Sequence, residues 1–250
     1  MTYVLEKFSG VIIKTQDYSE THKIVTIFSK KIGKFSAIAR GAKKPRSRMA
    51  AVTQPFVNGE FLVYISKQLS TLQQGEITHS FRPIREDIVK TAYAAYLAEL
   101  TDKLIDSHSP VYFLYEQFYQ TLCWIAENED ADIPVMMYEL KLYKFGGFAP
   151  VLDHCVNCKG NNLPFHFSVQ EGGFLCQQCS TIDPNAVQLS DTVAKLLYIF
   201  LNVGINQVGK ISIKPKNKQF IRQLLDTYYD QYGGYFLKSR KFLNQLDKLK

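Results

Sequence analysis

The chain of 250 residues lacks the features that would place it in a membrane or a secretory pathway. No apolar run reaches the roughly 18–20 residues that a membrane-spanning helix needs. Residues 1–14 have no sustained apolar core and no small-residue cleavage site, so no secretion signal is recognised. We therefore expect a cytoplasmic protein with one large domain or two to three small ones.

The sequence also has little of what catalysis requires. A nuclease or metal-dependent hydrolase needs clustered carboxylates or an open metal site. The carboxylates here are scattered, and no His–Asp or His–Glu pattern of metal-binding type occurs. Cys123 stands alone beside Trp124 in a predicted helix, where packing is the usual role of a cysteine. We expect that the protein is not an enzyme. Magnesium-dependent degradation of labelled DNA would instead support the competing hypothesis of a nuclease.

Acidic residues are absent from residues 29–59, which makes the charge distribution uneven. The net charge of +7 divides into +8 for residues 1–75, −8 for residues 76–140 and +7 for residues 141–250. A basic front, an acidic middle and a basic tail indicate separate modules. The basic parts would attract a polyanion.

Five short runs rich in β-branched and aromatic residues precede residue 80. They predict strands at residues 10–15, 23–28, 34–39, 60–65 and 72–77. Five short strands in about 80 residues fit a small closed barrel of the OB type. A small open sheet packed on helices is the competing interpretation.

Eight lysines and arginines lie in the acid-free stretch, and they are Lys30, Lys31, Lys34, Arg40, Lys43, Lys44, Arg46 and Arg48. The last five fall in a predicted flexible loop, because Gly41 and Pro45 disfavour a regular helix or central strand. Lys and Arg bind phosphates by releasing counterions, and Arg also stacks on bases. We predict that these eight residues contact DNA, with a solvated basic loop as the alternative. Lysines within residues 210–218 either extend this path or form a solvated face.

Apolar residues recur at helical spacing after residue 83. They predict one helix over residues 84–104, a second beginning at Pro110 and a third over residues 134–145 that ends at Gly146 and Gly147. Further helices are predicted after residue 189, the first with an N-cap within residues 189–191.

The most specific local pattern is a pair of C-x2-C motifs, formed by Cys155, Cys158, Cys176 and Cys179. Each motif brings two thiolates to one ion, and two motifs complete the tetrahedron that zinc accepts. Disulfides, a redox site, an iron–sulfur cluster and catalytic zinc are alternatives, but four thiolates leave zinc no open position. We predict one structural Zn²⁺, with a hairpin between the motifs and no metal role for His154 or His166.

Together these features predict an α+β multidomain fold. An N-terminal OB-type small β-barrel (residues 1–80) binds DNA, and a mostly helical domain (residues 81–150 and 183–250) carries an inserted four-cysteine zinc module (residues 151–182). An RNA-binding or ribosome-associated zinc protein fits the composition equally well. Competition between RNA and single-stranded DNA would separate the two.

The order of these parts resembles the RecO family of bacterial recombination mediators. Residues 40–44 (RGAKK), followed by Ser47 and residues 54–56 (QPF), are similar to that family's barrel signature. Residues 138–140 (YEL), residues 147–150 (GFAP) and the first C-x2-C motif form the more specific half. Because some members lack the cysteines, the resemblance indicates the zinc-bearing branch.

The resemblance implies a non-catalytic protein of DNA repair and recombination. Such a protein would bind single- and double-stranded DNA, anneal complementary strands and associate with the nucleoid in the cytoplasm. It would work with RecR, and in many bacteria with RecF. It would bind the single-strand-binding protein SSB and help load RecA on SSB-coated DNA. In some members the acidic tail of SSB docks on the helical body.

Overall fold

A computed structural model describes residues 4–208 and 213–247. Their contacts group the chain into two compact units, one of residues 1–131 and 237–250 and the other of residues 132–236. The division into three parts that the sequence suggests stays a prediction. None of the helices in the described ranges is both long and apolar enough to cross a membrane.

The first unit begins with a closed five-stranded barrel. Its strands follow the order β1-β2-β3-β5-β4 around the barrel, and β4 pairs with β1 to close it. Neighbouring strands are antiparallel except for β3 and β5. This arrangement confirms the OB-type prediction, and all five predicted strands are present but longer than expected. They are β1 (Val4–Asp17), β2 (Lys23–Ser29), β3 (Gly33–Ala39), β4 (Asn58–Ile65) and β5 (Ser70–His79).

Apolar side chains that alternate along the strands fill the barrel. Phe8, Ile27, Phe35 and Phe61 are among those fully or almost fully buried there. A short helix, α1 (Arg48–Val52), lies between β3 and β4 in the chain. Its Val52 approaches β5 where Gly75 has no side chain, and a Cβ at Gly75 would clash with Val52. The glycine therefore lets α1 pack directly on the barrel.

Besides α1, the helices of the first unit are α2 (Arg82–Glu86), α3 (Ile88–Leu104), α4 (Tyr112–Glu127) and α8 (Lys238–Asp247), which packs on α3. The prediction of one continuous helix from residue 84 to residue 104 is wrong at Asp87. The backbone of Asp87 is extended, and its carboxylate accepts hydrogen bonds from the N–H groups of Val89 and Lys90. Asp87 is thus the N-cap of α3. Ile88 is consequently 64% exposed instead of facing the core.

The second unit combines three helices with a three-stranded sheet of order β7-β6-β8. Its helices are α5 (Asp132–Phe145), α6 (Asp191–Asn202) and α7 (Pro215–Tyr232), and its strands are β6 (Phe165–Ser168), β7 (Gly173–Cys176) and β8 (Val187–Gln188). The N-cap predicted within residues 189–191 is present and is Ser190, whose hydroxyl accepts a hydrogen bond from the Val193 N–H.

A buried ion pair holds the second unit together. The Glu139 carboxylate on α5 is fully buried and pairs with the Arg222 guanidinium on α7 at 2.6 Å. Its other oxygen accepts a hydrogen bond from the Tyr143 hydroxyl at 2.9 Å. A buried carboxylate persists only with such partners, so this pair fixes α5 against α7.

Candidate nucleic-acid interface and candidate metal centre

The basic loop, residues 40–48, is folded into hydrogen-bonded turns. The N–H of Lys44 donates to the Gly41 carbonyl, and the N–H of Ser47 donates to the Lys44 carbonyl. Gly41 and Arg46 both have positive φ angles, of 69° and 60°, which reverse the chain twice. The side chains of Lys44 and Arg46 on these turns are exposed, as is that of Arg48 at the start of α1.

The basic loop is fastened to the turn between β1 and β2. The Lys43 N–H donates to the Thr21 carbonyl, and the Gly41 N–H donates to Nδ1 of His22 at 3.1 Å. The Lys43 ammonium contacts the Asp17 carboxylate at 2.8 Å, and this hydrogen bond lowers the pKa of Asp17. Lys43 therefore anchors the loop, and the Asp17 carboxylate lies beside its positive charge.

Four exposed cations at this end of the barrel have no carboxylate partner among the described residues. They are Arg40, Lys44, Arg46 and Arg48. Unpaired exposed cations are available to a polyanion without first breaking an ion pair. We call this set of four the cationic rim.

The remaining three predicted DNA-binding residues lie at the opposite end of the β2–β3 hairpin. At the end of the hairpin near the cationic rim, Lys23 of β2 pairs with Ala39 of β3. At the opposite end of the hairpin, Ser29 pairs with Gly33. At about 3.3 Å per residue these ends are roughly 20 Å apart. The structure therefore does not bring Lys30, Lys31 and Lys34 together with the cationic rim.

Each of these three lysines also has a carboxylate nearby. The ammonium of Lys30 lies 3.9 Å from Glu116, that of Lys31 2.8 Å from Glu6, and that of Lys34 3.2 Å from Asp102. The Lys34 side chain is only 11% exposed and also donates to the Asp102 carbonyl. A role of these lysines in binding DNA stays a prediction.

The paired cysteines form the candidate metal centre in the second unit. The four Sγ atoms all lie within 4.8 Å of one another, and those of Cys158 and Cys176 are 3.7 Å apart. A tetrahedral site with metal–sulfur bonds of about 2.3 Å has S···S edges of about 3.8 Å. The four thiolates can therefore hold a metal ion with little rearrangement.

Local backbone structure presents the thiols to one point. The N–H of Cys155 donates to the Gly160 carbonyl, and Lys159 turns the chain with a φ of 61°. The predicted hairpin between the motifs is present as β6 and β7, and the second motif begins at the last residue of β7, Cys176. Each C-x2-C motif is thus held by hydrogen bonds that do not involve its sulfur atoms.

Hydrogen bonds to sulfur favour the thiolate form at Cys155. Burial raises the pKa of this thiol, but N–H groups of Cys158, Cys176 and Asn157 more than offset it and bring the pKa to about 6. The Asn157 side-chain amide donates to the Cys179 sulfur at 3.3 Å. Donors of this kind orient and stabilise metal-bound thiolates.

The neighbouring histidine does not enlarge the site. The His154 imidazole contacts the Asp153 carboxylate at 2.7 Å. Within the described part of the chain, the only clustered metal-ligating groups are the four cysteines.

Comparisons with known proteins match nearly the whole chain. A model described as Recombination protein O N terminal covers residues 1–81, and one described as Recombination protein O C terminal covers residues 85–241. The chain belongs to the RecO family. A DNA repair protein RecO from Oceanobacillus iheyensis is 61% identical over 98% of this chain and 95% of its own length. Those from Bacillus pumilus and Bacillus subtilis are 45% and 41% identical, each over 99% of this chain and over 96% and 97% of their own lengths.

The residues that suggested the RecO family have structural roles in this chain. Glu139 of the YEL motif forms the buried ion pair described above. The carbonyl of Phe148, in the GFAP motif, accepts a hydrogen bond from the Tyr228 hydroxyl. In the barrel signature, Phe56 has a φ of 67°, and its N–H donates to the Ile12 carbonyl. These motif residues therefore make contacts that stabilise the fold of this chain.

Two exposed tyrosines near the cationic rim could not be recognised from the sequence of this RecO-family chain. Tyr18 lies in the β1–β2 turn and is 57% exposed, and Tyr64 on β4 is 37% exposed. The chain has 15 tyrosines, and most of the aromatic residues serve the core. Their position at one end of the barrel was therefore visible only once the strand order was known.

The structure describes some of the lysines within residues 210–218 that were predicted to extend the DNA path or to form a solvated face. Lys218 pairs with Asp132 at 2.9 Å within the second unit. Lys210 lies outside the described residues.

Proposed function

We propose that this RecO-family chain is a non-catalytic mediator of DNA repair and recombination that binds single- and double-stranded DNA. The observation that carries the proposal is the cationic rim, four exposed cations without carboxylate partners among the described residues. The RecO proteins to which the chain is similar are named for DNA repair, which favours DNA over RNA as the ligand.

The cationic rim suits strands of any sequence. Lys and Arg neutralise phosphates and release counterions, and this gives affinity without sequence readout. Arginines also grip phosphate oxygens bidentately. Two complementary strands held here would repel each other less, so their pairing would be accelerated. Annealing by charge neutralisation is the mechanism that we propose.

The partners follow from the family resemblance and not from the geometry. With RecR, and with RecF where it is present, the chain would help load RecA on DNA coated with SSB. This work would take place in the cytoplasm at the nucleoid. The DNA-binding part would be the barrel of residues 1–80, with Lys30, Lys31 and Lys34 as its more distant contacts.

The metal would be one structural Zn²⁺. Four thiolates of a paired C-x2-C site leave no open coordination position for substrate or water. The residues that would hold it are Cys155, Cys158, Cys176 and Cys179, in a module of residues 151–182 within a helical domain. Bound zinc supplies folding free energy there, and no reaction step.

Competition binding tests the proposed ligand. Labelled single-stranded DNA bound to the chain is challenged with unlabelled single-stranded DNA, duplex DNA and RNA of matched length, with magnesium present. We expect both DNA forms to compete, RNA to compete less well, and the labelled strand to stay intact because no catalytic site is proposed. Displacement by RNA in preference to DNA would move the assignment to an RNA-binding protein, and degradation of the strand would indicate a nuclease.

A further inference from the structure

An open cavity beside the cationic rim is lined by four polar side chains that no described part of the protein uses. The cavity has a volume of about 300 Å³ and is bounded by Arg40, Tyr64, Thr71 and Gln73. Within the described residues, none of these side chains makes a hydrogen bond or an ion pair. Polar groups that converge on an open cavity without protein partners are suited to a ligand.

The strand pairing explains why these residues meet. Thr71 and Gln73 are two residues apart on β5, so both project from the outer face while Leu72 between them is buried. Thr71 is the direct partner of Tyr64 on β4 and of Ile38 on β3. Arg40 follows Ala39, the last residue of β3 that pairs with β5. The cavity therefore lies where β5 is flanked by β4 on one side and the start of the basic loop on the other.

A β-bulge lies at Gln73. Val63 on β4 pairs with Leu72, whereas Leu62 pairs with Gln74, so Gln73 is the extra residue without a partner in β4. Bulges of this kind re-aim a side chain and are common at binding sites. Gln73 is exposed, and its side chain lines the cavity together with that of Thr71.

We propose that this cavity, which we call the base pocket, receives one unpaired nucleobase of a DNA single strand. The Tyr64 ring offers a face for stacking, which is sequence-tolerant because every base has a π-face. The Gln73 amide presents a donor and an acceptor side by side, the pattern that pairs with a base edge. The Arg40 guanidinium stacks on the base or holds the adjoining phosphate.

The base pocket would give the chain a preference for single-stranded over duplex DNA, which the cationic rim alone cannot provide. Phosphates are common to single strands and duplexes, but a paired base in a duplex does not expose its face. The base pocket therefore adds affinity for single strands alone, because it holds one base away from the stack of its own strand. This inference rests on the proposed DNA-binding function and assigns it a site that recognises unpaired bases.

Three ligands and a small set of variants test the base pocket. The ligands are a mixed-sequence single-stranded DNA, the same strand with abasic sites throughout, and the duplex. Tyr64→Leu removes the ring and keeps an apolar side chain, and Tyr64→Phe keeps the ring. Tyr112→Leu is the matched control, because Tyr112 is an exposed tyrosine at the opposite end of the β2–β3 hairpin, beside Lys30.

We expect Tyr64→Leu to weaken binding of the intact single strand by about fivefold or more, the amount of one lost base stack. Its affinity for the abasic strand and for the duplex should equal that of the wild type. Tyr64→Phe and Tyr112→Leu should bind all three ligands as the wild type does. Gln73→Met should weaken the intact strand in the same selective way. In a Tyr64→Trp variant, the added indole fluorescence should be quenched by the intact strand and not by the abasic strand.

Equal weakening of all three ligands by Tyr64→Leu, or no change in any of them, overturns the base pocket while DNA binding by the wild type still supports the proposed function. If the wild type binds none of the three ligands, the proposed function itself fails. Tighter binding of a matched RNA strand than of DNA would overturn the assignment of the base pocket to DNA.

Discussion

Replacing Cys155 by serine is expected to abolish metal binding and to unfold the region around the four cysteines. A structural metal in a four-thiolate site contributes on the order of 10 kcal/mol of apparent binding free energy, and this becomes folding free energy. Cys155 is buried and its sulfur is one of the four that lie within 4.8 Å of one another, and a serine hydroxyl is a much poorer zinc ligand than a thiolate. Metal content by atomic emission and amide hydrogen exchange over residues 155–188 measure the result.

Cys123→Ser is the matched control, because Cys123 is partly buried on α4 and lies outside the cluster. This variant should keep one equivalent of zinc and wild-type hydrogen exchange. Retention of a full equivalent of zinc by Cys155→Ser would show that the four cysteines are not the metal site. Iron and sulfide in place of zinc in the wild type would replace the zinc assignment with an iron–sulfur cluster.

Removing the cationic rim by replacing Arg40, Lys44, Arg46 and Arg48 with alanine is expected to have the second large effect. The slope of log K against log salt is negative, and each lost phosphate contact reduces its magnitude by about 0.7 for single strands. Four lost contacts therefore reduce its magnitude by about 3. The affinity at about 0.1 M salt should fall by roughly 10² to 10³-fold. Fluorescence anisotropy with labelled DNA over a salt series measures both quantities.

A charge-matched pair of double variants shows whether position matters. Arg46 and Arg48 replaced by alanine should lower the salt slope by about 1.4, the sum of two contacts on a single strand. Lys30 and Lys31 replaced by alanine remove the same charge at the opposite end of the hairpin, where both lysines have carboxylate partners. This second variant should change the slope much less. Equal losses from both pairs would mean that total charge, and not the cationic rim, determines binding.

The barrel could be predicted from the sequence because its signals are local. Alternating β-branched and aromatic residues predicted each strand. The long basic segment after β3 was predicted as the connection to β4, and α1 lies within that connection. The break at Asp87 was harder to predict, because the four-residue recurrence continues across it. A side-chain cap competes with the helix at that point and determines the start of α3.

The convergence of the four cysteines could be predicted residue by residue, because two C-x2-C motifs are typical of one shared metal site. The predicted DNA-binding residues were named as a set, and their role stays a prediction. Charge density along the chain does not require the side chains to converge, and the extended strand β3 keeps Lys34 and Arg40 at opposite ends of the hairpin. The base pocket depended on a bulge at Gln73, and nothing in the sequence marks that position.

Annealing of complementary single strands coated with SSB from the same organism is the most direct test of the central claim. Strand pairing is followed by fluorescence energy transfer with the wild-type chain, with the cationic-rim variant and without protein. We predict that the wild type accelerates pairing, that high salt removes the acceleration and that the cationic-rim variant shows almost none. Pairing at the uncatalysed rate with the wild type, while DNA binding is intact, would contradict the account and leave the chain a DNA-binding scaffold.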